Sequence, residues 1–294
     1  MEGISVRLVS ALGLLAWMGA SAAALAAPID PGSPTTEWNV IGYPTLIPDY
    51  VDDQQTGHPE ADIVGDLTHP ALYMAFDDGG TPSTTDGNLG FRVRLGADGG
   101  PSGFTHFFGI GVDADLDGNL DLFLGVDNAG NRTDLGIFDP GDNVNTSPDT
   151  TSIVTIPLVS WDWEVVAGVY DFSAVDATID PPATTFDFDN DTNNDYFLSF
   201  VIPFQNIVDE LVGKGIAFDE DSQFQLVAGT STQPNALNQD LGGPDGGTTS
   251  TETWENLGAM TTPFSPSMIP EPDTGALFGL GLIGLAAAKR RRRA

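Results

Sequence analysis

The stretch GIGVDADLDGNLDLFLG, residues 109–125, decides the fold. Two apolar runs with a two-residue alternation flank a short acidic segment, which is the pattern of a β-hairpin. Phe108, Ile110 and Val112 share one face of the first run. Leu120, Leu122, Leu124 and Val126 share one face of the second. A two-residue turn at Asp117-Gly118 would pair Val112 with Phe123 and put the two apolar faces on opposite sides of the sheet. One face must be buried, so that register fails. Pairing Ala114 with Leu120 sets Val112 against Leu122 and Ile110 against Leu124. The loop is then Asp115-Leu116-Asp117-Gly118-Asn119.

Working outward, short apolar runs recur between clusters of Gly, Asp, Asn and Pro. Strands are expected at 71–76, 89–95, 104–112, 120–126, 132–138, 152–159, 164–175, 196–204 and 223–231, from their length and their β-branched and aromatic content. One or two helical turns are expected at 205–212, after Pro203. About nine strands with almost no helix predict an all-β fold, an antiparallel β-sandwich occupying residues 69–232. Residues 28–68 read as an extended lead-in, and 233–268, rich in Gly, Thr, Pro and Asn, as a flexible spacer.

The chain has 294 residues and no cysteine, which excludes disulfides and thiolate metal sites. Acids number 42 and bases 10. Only Arg92, Arg94, Arg132 and Lys214 lie away from the ends. Such a polyanion repels nucleic acid and anionic headgroups and attracts divalent cations. Residues 1–27 read as a secretory signal peptide: Arg7, the apolar run LVSALGLLAWMGA, and small residues ahead of Pro28. At the other end, Pro270-Glu271-Pro272 precedes an uncharged run from Thr274 to Ala288 and the cations Lys289 to Arg293. That run is short of the roughly 20 residues that span a bilayer comfortably, but terminal basic side chains extend its reach by snorkelling. The expectation is a single transmembrane helix with its basic end in the cytoplasm and the body on the far side.

The triplet Pro270-Glu271-Pro272, the short Gly/Leu/Ala helix and the cluster Arg290, Arg291, Arg292 and Arg293 resemble the PEP-CTERM sorting signal of Gram-negative bacteria. The resemblance implies export to the cell envelope, cell surface or extracellular matrix. It implies processing by an exosortase-type membrane enzyme, contact with the membrane through the helix before processing, and production alongside exopolysaccharide.

In the register above, Asp113 faces Asp121 on the outer side of the hairpin, with Asp115 and Asp117 at the loop mouth. Like charges facing each other across a ladder are destabilising, by about 1 kcal/mol per close pair in water and more where water is excluded. The group should raise its own pKa values or recruit a cation. The spacing D-x-D-x-D-G-x-x-D resembles the first nine positions of calcium loops of the EF-hand and dockerin type. That resemblance implies side-chain ligation by Asp113, Asp115 and Asp117, a backbone carbonyl from Asn119, and Asp121 directly or through water, with Gly118 at the sharp turn. The twelfth position is Leu124, not a bidentate Glu, and no helices flank the loop. A second segment, DFDNDTNNDY, repeats the beat with Asp187, Asp189, Asp191, Asn193 and Asp195, without the turn glycine. Both loops are candidate Ca2+ sites.

No nucleophile elbow, H-E-x-x-H or phosphate-cradling loop is present, and no catalytic residue is assigned. His106 reads as a packed residue. Trp161 and Trp163 alternate on one strand face and offer a platform for glycan stacking, although filling the core is the commoner role of such residues. Through LYMAFDD, LGFRVRL followed by GVDADLDG, and YFLSFVIPFQNI, the body resembles sandwich domains of the DOMON and carbohydrate-binding-module kind. The expectation is a non-enzymatic, calcium-stabilised protein of the surface or biofilm matrix. Its alternatives are a carbohydrate-binding module and, less favoured, an exported hydrolase.

Overall fold

The computed structural model describes residues 28–43, 49–100, 103–181, 183–235, 237–245 and 252–270. The expected signal peptide, the sorting helix and the residues Glu271, Pro272 and Arg290 to Arg293 lie outside these. Among the described residues, no helix is long and apolar enough to cross a membrane.

The structure is mostly β, in two antiparallel sheets. Sheet A runs β1 (Asn39–Val40), β2 (Leu72–Asp77), β3 (Asn88–Leu95), β9 (Tyr196–Pro203), β8 (Tyr170–Ala174). Sheet B runs β11 (Asp240–Leu241), β10 (Gln225–Ser231), β4 (Phe107–Asp113), β5 (Leu122–Asp127), β6 (Asp134–Phe138), β7 (Val159–Asp162). The expected Ala114–Leu120 pair does not form, because β5 starts at Leu122 and Leu120 packs with Phe107 and Phe123 on the other face; beyond it the hairpin has the register derived from hydrophobic alternation, with Val112 paired to Leu122 and Ile110 to Leu124. All four are at most 2% exposed. They belong to a core that also takes Met74, Phe91 and Phe200 from sheet A. Phe108 meets Phe200 across it, ring centroids 6.1 Å apart. Helix α1 (Phe204–Gly213) follows Pro203 and buries Phe204, Ile207, Val208 and Leu211 at one end of the core, the i, i+3, i+4, i+7 face of an amphipathic helix.

Neither sheet leaves its outer face bare. On sheet A the alternation of FRVRL turns Arg92 and Arg94 outward, yet both are fully buried. Arg92 lies 4.4 Å from the Trp38 ring centroid and donates to Ser199 Oγ at 2.8 Å. Arg94 donates to Asp195 at 2.9 Å and also bonds Asp180. The lead-in, through Ile29 and Trp38, joins Val175 in roofing this face. On sheet B the outer face carries Phe107, Phe123, Val227 and Leu241 and is covered by Leu237 and Trp254. Gly111 allows that cover, because a Cβ there would sit 2.8 Å from the side chains of Leu120 and Val227.

Three further sequence expectations need correction. Residues 152–158 are not a strand: Pro157 has no N–H to give a ladder, Val154, Ile156 and Leu158 are exposed, and pairing with β6 starts at Val159. Residues 164–168 form an exposed turn before β8. The reading of 233–268 as a flexible spacer does not hold for its described residues. The short helix α2 (Trp254–Leu257) drives a completely buried Trp254 under sheet B, and burial of an aromatic that size outweighs the polar composition around it.

Candidate metal centre

The hairpin loop is built by its own carboxylates. Asp113 ends β4 fully buried and accepts from the backbone N–H of Asp117 at 3.2 Å and of Gly118 at 3.0 Å. Asp121 Oδ2 accepts from Ala114 N–H at 2.8 Å. Gly118 has φ of 86° and Leu116 of 62°, so the chain crosses the left-handed region twice to turn back. Ligand-capable oxygens of Asp113, Asp115 and Asp121 lie within 4.8 Å of one another. Asp117 is not part of that group. Asp117 Oδ1 accepts from both the backbone N–H and the side-chain amide of Asn119, at 2.8 and 2.9 Å. Burial pushes the Asp113 carboxyl up. Burial, reinforced by the charges of Asp115, Asp113 and Asp117, pushes Asp121 up to about 6. Three oxygen donors on one side of a pinched turn, carrying uncompensated negative charge, fit a hard divalent cation.

The second acidic loop brings together Asp187, Asp189 and Asp195. Asp195 is the buried counterion of Arg94, so its charge is already answered. Asp187 Oδ1 and Asp189 Oδ2 are buried without a hydrogen-bond partner. Burial, with the charge of Asp191 and the close Asp187 carboxylate, pushes Asp189 up to about 7. Asp191 is turned away: its two oxygens accept from the Asn193 N–H and Asn193 side-chain amide at 2.7 and 2.8 Å.

Two clusters were not found from the sequence. Asp53, Asp62 and Asp240 place carboxylate oxygens within 4.8 Å of one another, as do ring nitrogens and a carboxylate from His58, Glu60 and His106. In the latter group Glu60 Oε1 is 3.2 Å from His58 Nδ1 and 3.7 Å from His106 Nδ1. No local motif links the members of either group. The faint signal for Asp240 is that it is the only acid between Asp221 and Asp245.

The tryptophans part company. Both pack against the inter-sheet core, where Trp161 pairs with Leu135 on β6. Trp163 stacks on Tyr170 across the open edge between β7 and β8, centroids 4.7 Å apart and 22° between planes. It lines a cleft of about 350 Å³ with Asn128, Asn131, Thr133 and Glu164.

The fold and these loops define an acidic β-sandwich with carboxylate clusters at both ends of its sheets. Residues 269–293 match the PEP-CTERM protein-sorting motif. The motif marks the chain as an exosortase substrate, exported across the inner membrane to the envelope or surface of a Gram-negative bacterium. Of this motif the described residues include Pro270, whose carbonyl accepts from the Asn39 side-chain amide at 3.1 Å. No curated protein and no solved structure matches the chain.

Proposed function

We propose that this protein is a non-enzymatic component of the cell surface or extracellular matrix. Calcium stabilises its sandwich, and the protein associates with exopolysaccharide in a biofilm. The observation that carries the reading is the convergence of Asp113, Asp115 and Asp121 in a chain bearing an export and sorting signal. A cation at the hairpin would bridge oxygens that otherwise repel and would hold the β4–β5 turn closed. Ca2+ suits an all-oxygen donor set in a loop of adaptable geometry. Asp113→Asn combined with Asp121→Asn should remove one bound calcium from the full-length protein and lower its calcium-dependent rise in melting temperature. Unchanged calcium stoichiometry in that variant would refute the hairpin site.

The stacked pair Trp163 and Tyr170 supports a second reading, a glycan-binding module. A half-buried aromatic pair beside amide, hydroxyl and carboxylate groups is the donor and acceptor pattern that sugars need. A glycan array distinguishes the two readings. Discrete hits lost in Trp163→Ala favour recognition of a specific glycan, and an array without hits favours the matrix reading.

A further inference from the structure

The lead-in strap, residues 49–63, crosses the end of the sandwich and is stitched to the β10–β11 edge. Gln55 N–H donates to Gln239 O at 3.0 Å. Thr230 Oγ donates to Ala61 O at 2.6 Å, and Ile63 N–H to Asp240 Oδ2 at 2.6 Å. Four aspartates meet here, Asp49, Asp53 and Asp62 from the strap and Asp240 from β11. Asp62 and Asp240 are completely buried, and Asp49 is 6% exposed. Three of them are held by backbone donors. Asp62 Oδ2 accepts from Asp52 N–H at 2.9 Å, Asp49 Oδ1 from Gly243 N–H at 2.9 Å, and Asp240 Oδ1 from Leu241 N–H at 2.7 Å. The opposite oxygens, Asp62 Oδ1 and Asp49 Oδ2, are buried with no hydrogen-bond partner. Asp53, Asp62 and Asp240 have oxygens mutually within 4.8 Å, and Asp49 is tied to the same edge through Gly243, three residues beyond Asp240. Among the described residues, no Lys, Arg or His forms an ion pair with Asp49, Asp62 or Asp240.

We infer that Asp49, Asp53, Asp62 and Asp240 form a buried Ca2+ site that straps the N-terminal lead-in to the C-terminal edge of sheet B. A buried carboxylate oxygen without a donor is costly, and several facing one another cost more. Backbone N–H groups hold one oxygen each of Asp49 and Asp62 and both oxygens of Asp240, which leaves Asp62 Oδ1 and Asp49 Oδ2 to a ligand that must be positive. Calcium fits better than magnesium, which retains several waters and rarely occupies an all-protein cage. The contact joins Ile63 to Asp240 across 177 positions of sequence. A chain without cysteine would thus gain by metal the kind of long-range closure that other exported proteins gain from a disulfide. The site is separate from the hairpin loop, which sits at the opposite end of β10, beside Gln225, and it stands whether or not the hairpin holds a metal.

The competing state is a protonated carboxyl cluster, and the two states respond oppositely to one substitution. Asp49→Asn and Asp62→Asn each keep the oxygen that accepts a backbone hydrogen bond and replace the bare oxygen with an amide. Full-length protein in detergent, stripped with EDTA at neutral pH, is titrated calorimetrically with calcium chloride. Each variant should bind one calcium fewer, or bind that calcium roughly tenfold more weakly or worse. The Asp113→Asn/Asp121→Asn variant should retain this calcium. If both strap variants bind calcium like the parent and melt higher than it in EDTA, the cluster is a protonated one and the inference fails. Should either variant not fold, limited proteolysis of the parent decides. Calcium-dependent protection of residues 49–63 is expected, and equal cleavage with calcium and with EDTA overturns the site.

Discussion

Removing metal and then lowering the pH should make this protein more stable, the reverse of ordinary acid denaturation. Asp62 is completely buried. Burial, with the charges of Asp53 and Asp189, pushes its carboxyl from 3.8 up to about 7. A carboxyl raised in the folded state binds its proton there before the unfolded chain does. Between the two pKa values the native state therefore holds more protons, and stability falls as pH rises. The favourable contribution is complete below about pH 3.8 and is lost as pH climbs through about 7. Across that whole interval Asp62 alone accounts for about 4 kcal/mol. Between about pH 8 and pH 6.5 it accounts for about 0.8 kcal/mol. Burial and the charge of Asp240 hold Asp49 well above the usual carboxylate range, and burial with the charges of Asp53 and Asp62 does the same for Asp240. While protonated only in the folded state, each adds up to about 1.4 kcal/mol per pH unit.

The window should stop near pH 6.5, because burial depresses His106 and its protonation on unfolding works in the opposite sense below that. Urea unfolding in EDTA at several pH values across the window, followed by tryptophan fluorescence, gives the slope. The same series in saturating calcium should lose it, because a bound cation removes the penalty for ionising these groups. Stability that falls on acidification in EDTA, or a slope unaffected by calcium, would refute the reasoning.

Replacing Arg94 with Met should cost about 3–5 kcal/mol, because Asp195 and Asp180 would be left as unpaired charges in a dry site; a shift in the urea midpoint at constant m-value measures it. Gly118→Val should lose about 1–2 kcal/mol from left-handed strain alone, since no neighbouring atom lies within 4 Å of the added Cβ. Calcium should not restore that loss, and calorimetry with and without the ion would show whether it does.

The hairpin was readable because period-two alternation leaves one register that buries both apolar faces. The paired strands then fix the loop, and its D-x-D-x-D-G beat survives as three converging carboxylates. What alternation cannot report is whether an outward face meets solvent. Arg92 and Arg94 look like surface residues in FRVRL, and they are buried because a distant lead-in folds over them. Trp254 was hidden the same way, one of two aromatics in a segment whose Gly and Thr content reads as linker. The strap cluster was invisible for a stronger reason. Its members come from positions 49 to 62 and from 240, and their meeting depends on Ile63 docking beside β3 through its bridge to Leu95.

Charge supply connects these observations. The four bases of the body are all engaged. Arg94 answers Asp195 and Asp180, Arg132 answers Asp127, and Lys214 answers Asp139. Arg92 sits within the field of Asp171. No basic side chain remains among them for Asp62, Asp189 or Asp121, which burial holds at about 7, 7 and 6. These groups must be answered by protons or by cations from solution. Monovalent salt is a poor substitute, because screening acts on exposed charges far more than on buried ones. A divalent ion delivered into each cluster would stabilise the folded chain at both ends of its sheets. An exported protein with so few bases would then derive part of its rigidity from the calcium content of its surroundings, and rescue by calcium but not by equal ionic strength of sodium chloride is the signature of that dependence.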